Sequence, residues 1–286
     1  MAFIRPYKET DFDACAHICI ATLPPRLAAS PAAAKLSPYL WTHPYTFLSP
    51  STCHILDDGT GRAVGYCIGC PDVYAFVSRY EEYITAILSR DVARPAQLTV
   101  QEPWTIPAPS SPSPSPSPST TPTPKVTVNP VALAQNAYRA DWLLLPHSSP
   151  SEKQGQEHGQ DKNSSSTPKN HGDGDGKAEM VSRWRDTMHI DILPSHQAAG
   201  WGRKLIDQFV ASVTVQASNS SGQGEKEQKA EAEENYGEGV HIGIARENSK
   251  VVPFYDRVGF RLFRPGQSEG TIWMVRDIPN VSLSGP

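Results

Sequence analysis

The sequence predicts an α+β fold: a mixed, mostly antiparallel splayed sheet flanked by helices, with polar insertions. Three observations predict it. Short alternating stretches near the start are joined by a tight turn, the pattern of an antiparallel hairpin. Later the order becomes strand, amphipathic helix, strand, helix, strand, which requires a parallel pair within the sheet. The composition is also divided: 38% of residues are hydrophobic, against 27 Pro and 20 Gly, so folding sequence must alternate with sequence that cannot bury a core.

The elements follow in chain order. Phe3–Arg5 reads as a strand ended by Pro6. Thr10 reads as a helix N-cap before Phe12, Cys15, Ile18 and Cys19, which share one helical face. Cys53–Leu56 and Ala63–Ile68 form the hairpin around Asp58-Gly59. Asp72 caps a helix whose apolar residues run Val73, Phe76, Val77, Tyr80, Ile84, Ile87 and Leu88, spaced by three and four. Asn129-Pro130 opens a short helix, with a cap followed by Pro in the first turn.

Thr187–Leu193 is the clearest strand: Met188, Ile190 and Ile192 point one way, His189, Asp191 and Leu193 the other. Gly202–Val213 is an amphipathic helix with Leu205, Ile206, Phe209, Val210 and Val213 on one stripe. Val240–Ala245 is a strand, Asn248 is read as the cap of a helix closing at Gly259, and Phe260–Phe263 with Thr271–Val275 complete the sheet.

Three segments lack the apolar residues to offset backbone ordering: about 106–124, rich in Ser-Pro and Thr-Pro, about 148–177, and about 217–239. Without them roughly 200 residues remain, the size of one domain spanning 1–286. Net charge is -4, and the stretch Glu225–Glu238 alone, with six Glu and two Lys, accounts for it. The remainder is neutral and offers no basic field for nucleic acid. An odd cysteine count, five, and the lack of a secretory leader suggest reduced thiols and a cytoplasmic or nuclear setting. No run of ~18 apolar residues is present, so no membrane span is expected. Cys67-x-x-Cys70 begins inside a strand and has no second pair at zinc spacing, so it reads as two buried thiols rather than a metal or redox site.

The segment Leu193-Pro194-Ser195-His196-Gln197-Ala198-Ala199-Gly200-Trp201-Gly202-Arg203 carries the functional signal. A strand ends, a short loop follows, and glycines open an amphipathic helix. Free N–H groups and the helix dipole favour an anion at such a turn, and glycine lets a phosphate approach the backbone. The spacing matches neither the Walker loop nor the G-x-G-x-x-G dinucleotide fingerprint.

Gln197-x-x-Gly200-x-Gly202 resembles the pyrophosphate loop of GNAT N-acetyltransferases. The downstream stretch from Asn248 through Phe254-Tyr255 to Gly259-Phe260 is similar to that family's second pattern. The resemblance covers about residues 187–275, with Pro253 inside the expected helix as a departure. A third stretch, from Gly65 to Phe76, resembles the acetyltransferase-like domain of O-GlcNAcases and its stand-alone microbial relatives. No glycoside hydrolase domain accompanies it, so no hexosaminidase activity is implied. The resemblance implies acetyl-CoA as acyl donor, a primary amine as acceptor, and direct attack of the amine on the thioester. It places pantetheine between the strands 187–193 and 240–245, along Ile192 and Leu193. It places the pyrophosphate over Gln197, Ala198, Ala199, Gly200, Trp201, Gly202 and Arg203, with Asn248 and Tyr255 on the far wall. A GNAT-fold module that binds acyl-CoA or a partner without catalysis is the rival reading.

Tyr255 is the candidate acid for the departing thiolate, since a phenol keeps its proton at neutral pH. Asp191 and His189 share a face of the strand lining the gap and are candidates for binding or deprotonating the amine; His241 joins them from the neighbouring strand. Each has a structural alternative, core packing for the tyrosine and local hydrogen bonding for the others. No metal ligand set is read from the sequence.

Overall fold

Alternating side chains give the strands two faces, and both faces are covered. In a computed structural model, residues 1–108, 126–146, 173–220, 237–264 and 270–278 are described. The strands are β1 (Phe3–Pro6), β2 (His54–Asp57), β3 (Ala63–Cys70), β4 (Thr105–Pro107), β5 (Val126–Val128), β6 (Asp186–Ile192), β7 (Gly239–Ala245), β8 (Arg261–Leu262) and β9 (Thr271–Asp277). Seven form one sheet in the order β1-β2-β3-β6-β7-β9-β8, and β4 pairs with β5 separately. Every neighbouring pair in the large sheet is antiparallel except β6 and β7, the parallel pair required by the later strand–helix–strand order.

On one face, Cys15 and Ile18 from the helix Phe12–Thr22, Leu40 from Pro31–Trp41, and Phe76 from Val73–Ser78 pack on Ile55, Tyr66, Ile68 and Cys70. On the other, the helix Trp201–Ser220 lays its predicted stripe, Leu205, Ile206, Phe209 and Val213, against Leu56, Val64, Cys67, Met188 and Ile242. Each fully buried side chain of this size stabilises by roughly 1.5–3 kcal/mol relative to exposure. The Asp72 carboxylate accepts from the Tyr74 N–H at 2.8 Å and the Asn129 side chain from the Val131 N–H at 3.0 Å, the two caps expected. Cys67 and Cys70 are free, buried thiols on β3. No helix among the described residues is long and apolar enough to cross a membrane.

Several expectations are corrected. Thr10 sits inside a 3-10 turn, Glu9–Asp11, and the Asp11 carboxylate receives the Lys8 N–H instead. The stripe from Val73 to Leu88 is broken: helices Val73–Ser78 and Tyr80–Tyr83 are followed by a π-helical turn, Ile84–Leu88, and Val73, Phe76, Tyr80, Tyr83, Ile84 and Leu88 are buried across all three pieces. Asn248 caps no α-helix: it lies in the 3-10 turn Arg246–Val251 with non-helical φ -103° and ψ 19°. The helix that follows, Val252–Arg257, has Pro253 in its first turn, where an N–H has no intrahelical partner to lose, so no kink results. At the insert boundaries Ile106 and Pro107 belong to β4, Lys177 to the helix Asp173–Arg183, and residues 217–220 to the helix Trp201–Ser220. The expected disorder of 109–125, 148–172 and 221–236 lies outside the described residues.

Candidate active site

The site begins with an incomplete seam. β6 and β7 each have seven residues, yet pair only at Asp186↔Val240 and Thr187↔His241. Beyond Thr187 they diverge. The Leu193 N–H donates to the Val64 carbonyl at 2.9 Å, which sets the phase of pairing with β3. Antiparallel pairs alternate, so Asp191 and His189 face β3 with their backbone groups, while the N–H and C=O of Ile190 and Ile192 face the opening toward β7. The Ile192 carbonyl accepts from the Gln197 side-chain amide at 2.7 Å, tying the loop back to the strand edge.

The loop reaches the helix through two left-handed residues, Ala198 (φ 59°) and Gly200 (φ 79°). Alanine in that region costs about 1–2 kcal/mol, an observed strain at a site-forming turn. Gln197, Ala198, Ala199 and Gly200 are exposed, and a Cβ on Gly200 would meet nothing within 4 Å. The first N–H groups of the helix at Trp201, Gly202 and Arg203 have no intrahelical acceptor. An open turn leading into free donors is chemically suited to a phosphate. Gly202 is also hemmed in by protein: a Cβ there would lie 2.8 Å from Cζ of Phe254, so its small size lets the helix Val252–Arg257 dock. Arg203 strengthens this contact by donating to the Arg257 carbonyl at 2.5 Å, and Lys204 stacks over Trp201 at 4.4 Å.

Docking brings Tyr255 to the opening. Its ring is half-buried, edge-on to Phe254 and Phe260 at 5.2 and 5.5 Å. Burial, then the charges of Asp191 and Cys67, raise its pKa, so the phenol stays protonated. Asp191 is half-buried, and its carboxylate accepts from the Tyr66 hydroxyl at 2.6 Å. Burial pushes its pKa up to about 6, opposed by the hydrogen bond from Tyr66 and by the nearby hydroxyl of Thr22, whose own proton goes to the Ile18 carbonyl at 2.8 Å.

His189 is half-buried, its ring 5.1 Å from that of Tyr45; burial and then His241 bring its pKa down to about 4. His241 is buried, with Nδ1 2.6 Å from the Trp184 carbonyl and a pKa brought by burial to about 4. A carbonyl only accepts, so Nδ1 holds the proton and the ring is held to one tautomer. Both histidines are neutral at pH 7. The structure thus brings Asp191, Tyr255 and the loop to one opening, and His189 with His241 to the sheet face beside it. Asn248 stands half-buried after β7. Sequence reasoning missed Tyr66 and Thr22. Tyr66 alternates correctly along β3, but its partner is 125 residues away and only the strand order joins them.

No family model matches the sequence, and no curated protein matches it. Among solved structures, SsHAT aligns over 97% of this chain and 98% of its own, with TM-score 0.56 and 22% identity. Naa20 of Chaetomium thermophilum, solved with a bisubstrate analogue, covers 99% of this chain and 93% of its own at TM-score 0.39 and 13% identity. An acetyltransferase structure covers 96% and 99% at TM-score 0.39 and 11% identity. The likeness to SsHAT, at 22% identity, is a likeness of fold. Taken with the splayed β6–β7 seam and the strand order, that likeness establishes the architecture: the chain has the GNAT acyltransferase fold.

Proposed function

We propose that this chain is an N-acetyltransferase that moves an acetyl group from acetyl-CoA to a primary amine by direct attack. The observation that carries this reading is the divergence of β6 from β7, with an exposed phosphate-suited turn at one end and Asp191 and Tyr255 at the opening. The free N–H and C=O of Ile190 are suited to the amides of a pantetheine arm beside Ile192 and Leu193. Gln197 holds the loop, while Ala198, Ala199, Gly200, Trp201, Gly202 and Arg203 offer the backbone to the pyrophosphate. Asn248 and Tyr255 contribute the opposite wall.

In this scheme Asp191, ionised above about pH 6, takes a proton from the incoming ammonium. The amine nitrogen then attacks the thioester carbonyl, the C–N bond forms and the C–S bond breaks. Tyr255 donates its proton to the departing thiolate, and the second proton that the nitrogen loses on becoming an amide returns to the Tyr255 phenolate. His189 and His241, both neutral, line the acceptor side without adding charge.

The test has two arms: calorimetry with acetyl-CoA, and a screen of amines that follows CoA release. Binding with turnover of an amine supports the reading. Tight binding with no turnover across amino sugars, polyamines, small amines and lysine peptides would leave an acyl-CoA-binding module instead.

A further inference from the structure

We propose that Tyr66 is a positioning residue for the acceptor base: its hydroxyl, delivered from β3 by the cross-strand register, holds the Asp191 carboxylate in its reactive orientation. The inference rests on the proposed reaction and deepens it. Tyr66 and Asp191 are direct register partners in β3 and β6. Tyr66 has no solvent exposure, and its hydroxyl donates to Oδ2 of Asp191 at 2.6 Å, a short charge-assisted bond. A ring locked in a core, with its hydroxyl proton directed at Oδ2, holds that oxygen in place. The carboxylate is therefore restrained at one oxygen, leaving Oδ1 for an incoming ammonium.

The neighbours make the arrangement readable. From the helix Phe12–Thr22, Cys19 faces Asp191, its thiol pushed up to about 12 by burial, and Thr22 approaches with a neutral hydroxyl. From β3, Cys67 and Tyr66 are raised well above their usual ranges by burial. From the helix Val252–Arg257, Tyr255 is raised as well, and on β6 itself His189 remains neutral above about pH 4. Asp191 is thus the one group in this set that changes charge between pH 5 and 8. A hydrogen bond donated to a carboxylate favours its ionised form, so losing the bond must raise its pKa.

The experiment uses the full chain with Tyr66→Phe, which keeps the ring, and Tyr66→Met as a second hydroxyl-free variant should the first fail to fold. Carboxyl-carbon NMR follows Asp191, assigned through Asp191→Asn, and kcat/KM is measured from pH 5 to 9 with an acceptor found by screening. The expected result is a rise in the Asp191 pKa of about one unit, with the acid limb of kcat/KM moving by the same amount and the rate recovering toward the parent at high pH. An Asp191 titration that does not move overturns the positioning role, even if activity falls. A titration that moves while the rate limb stays in place overturns the base role of Asp191, and the proposal with it.

Discussion

At the scale of single residues, the proposed chemistry falls on two side chains and each makes a prediction. Tyr255 is protonated throughout the working range because burial and the Asp191 charge raise its pKa. In the proposed reaction its proton matters as negative charge develops on sulfur, not before. Tyr255→Phe, which keeps the packing against Phe254 and Phe260, is expected to lower kcat by roughly 100-fold with acetyl-CoA affinity nearly unchanged. Steady-state kinetics with calorimetry decides it; parental turnover would reduce Tyr255 to a packing residue.

Asp191 makes the second prediction. Its pKa near 6 means that the base is lost as pH falls through that value, so kcat/KM should drop about tenfold per unit below it. In Asp191→Asn that limb should vanish and the plateau should fall by roughly 100-fold or more; an unchanged limb would assign the titration to another group. The placement of both residues beside the opening was legible in the sequence, that of Asp191 from strand alternation and that of Tyr255 from the resemblance of the stretch after Asn248. Tyr66 was not, because a cross-strand partner depends on strand order, which no local spacing encodes.

At the scale of elements, the sequence was most legible where periodicity was strong. The hairpin β2–β3, the strand β6 and the stripe on Trp201–Ser220 all stand within a few residues of their expected bounds. Elements held by context were not legible. The stripe from Val73 to Leu88 has helical spacing, yet spacing does not distinguish one straight helix from short pieces that bend around a core. Asn248 fits a cap by residue type, but the chain needed a 3-10 turn there before the helix Val252–Arg257.

Gly202 shows the same limit, since a ring arriving from another element also restricts its size. Gly202→Ala should therefore undock Phe254, lowering Tm by several degrees and acetyl-CoA affinity by roughly tenfold. The double variant Gly202→Ala with Phe254→Leu should recover much of the lost Tm, because the contact that causes the clash has been shortened. Thermal melts of the three proteins test it. If the single variant loses affinity but not Tm, crowding of the ligand rather than of Phe254 is responsible.

At the scale of the whole molecule, burial sets the response to acid. His43, His54, His189 and His241 all have pKa values brought down to about 4 by burial, against about 6.5 in an unfolded chain. Between those values the unfolded state binds more protons, so stability falls as pH drops through this window. Asp186 and Asp191, raised by burial, act in the opposite direction over a similar range, but they are fewer among the described residues. Tm should be lower at pH 5 than at pH 7.5. His43→Phe should reduce the difference, since a phenyl ring can keep the 3.8 Å stack on Phe12 and cannot take up a proton. A variant with undiminished acid sensitivity would show that His43 does not contribute to it.

The short seam between β6 and β7 also bears on how the molecule opens. The strands β1, β2, β3 and β6 form one ladder and β7, β9 and β8 another, joined by two residue pairs. Hydrogen exchange resolves such groupings as separate opening units when few bonds cross between them. Amides of β3 and of β9 should therefore exchange with different opening free energies in the free protein. Acetyl-CoA lying along the free edge of β6 would supply the missing rungs, and the two sets of amides should then slow together toward one shared value. On that account a bound donor would also be a fastener, making two separately opening ladders unfold as one cooperative body.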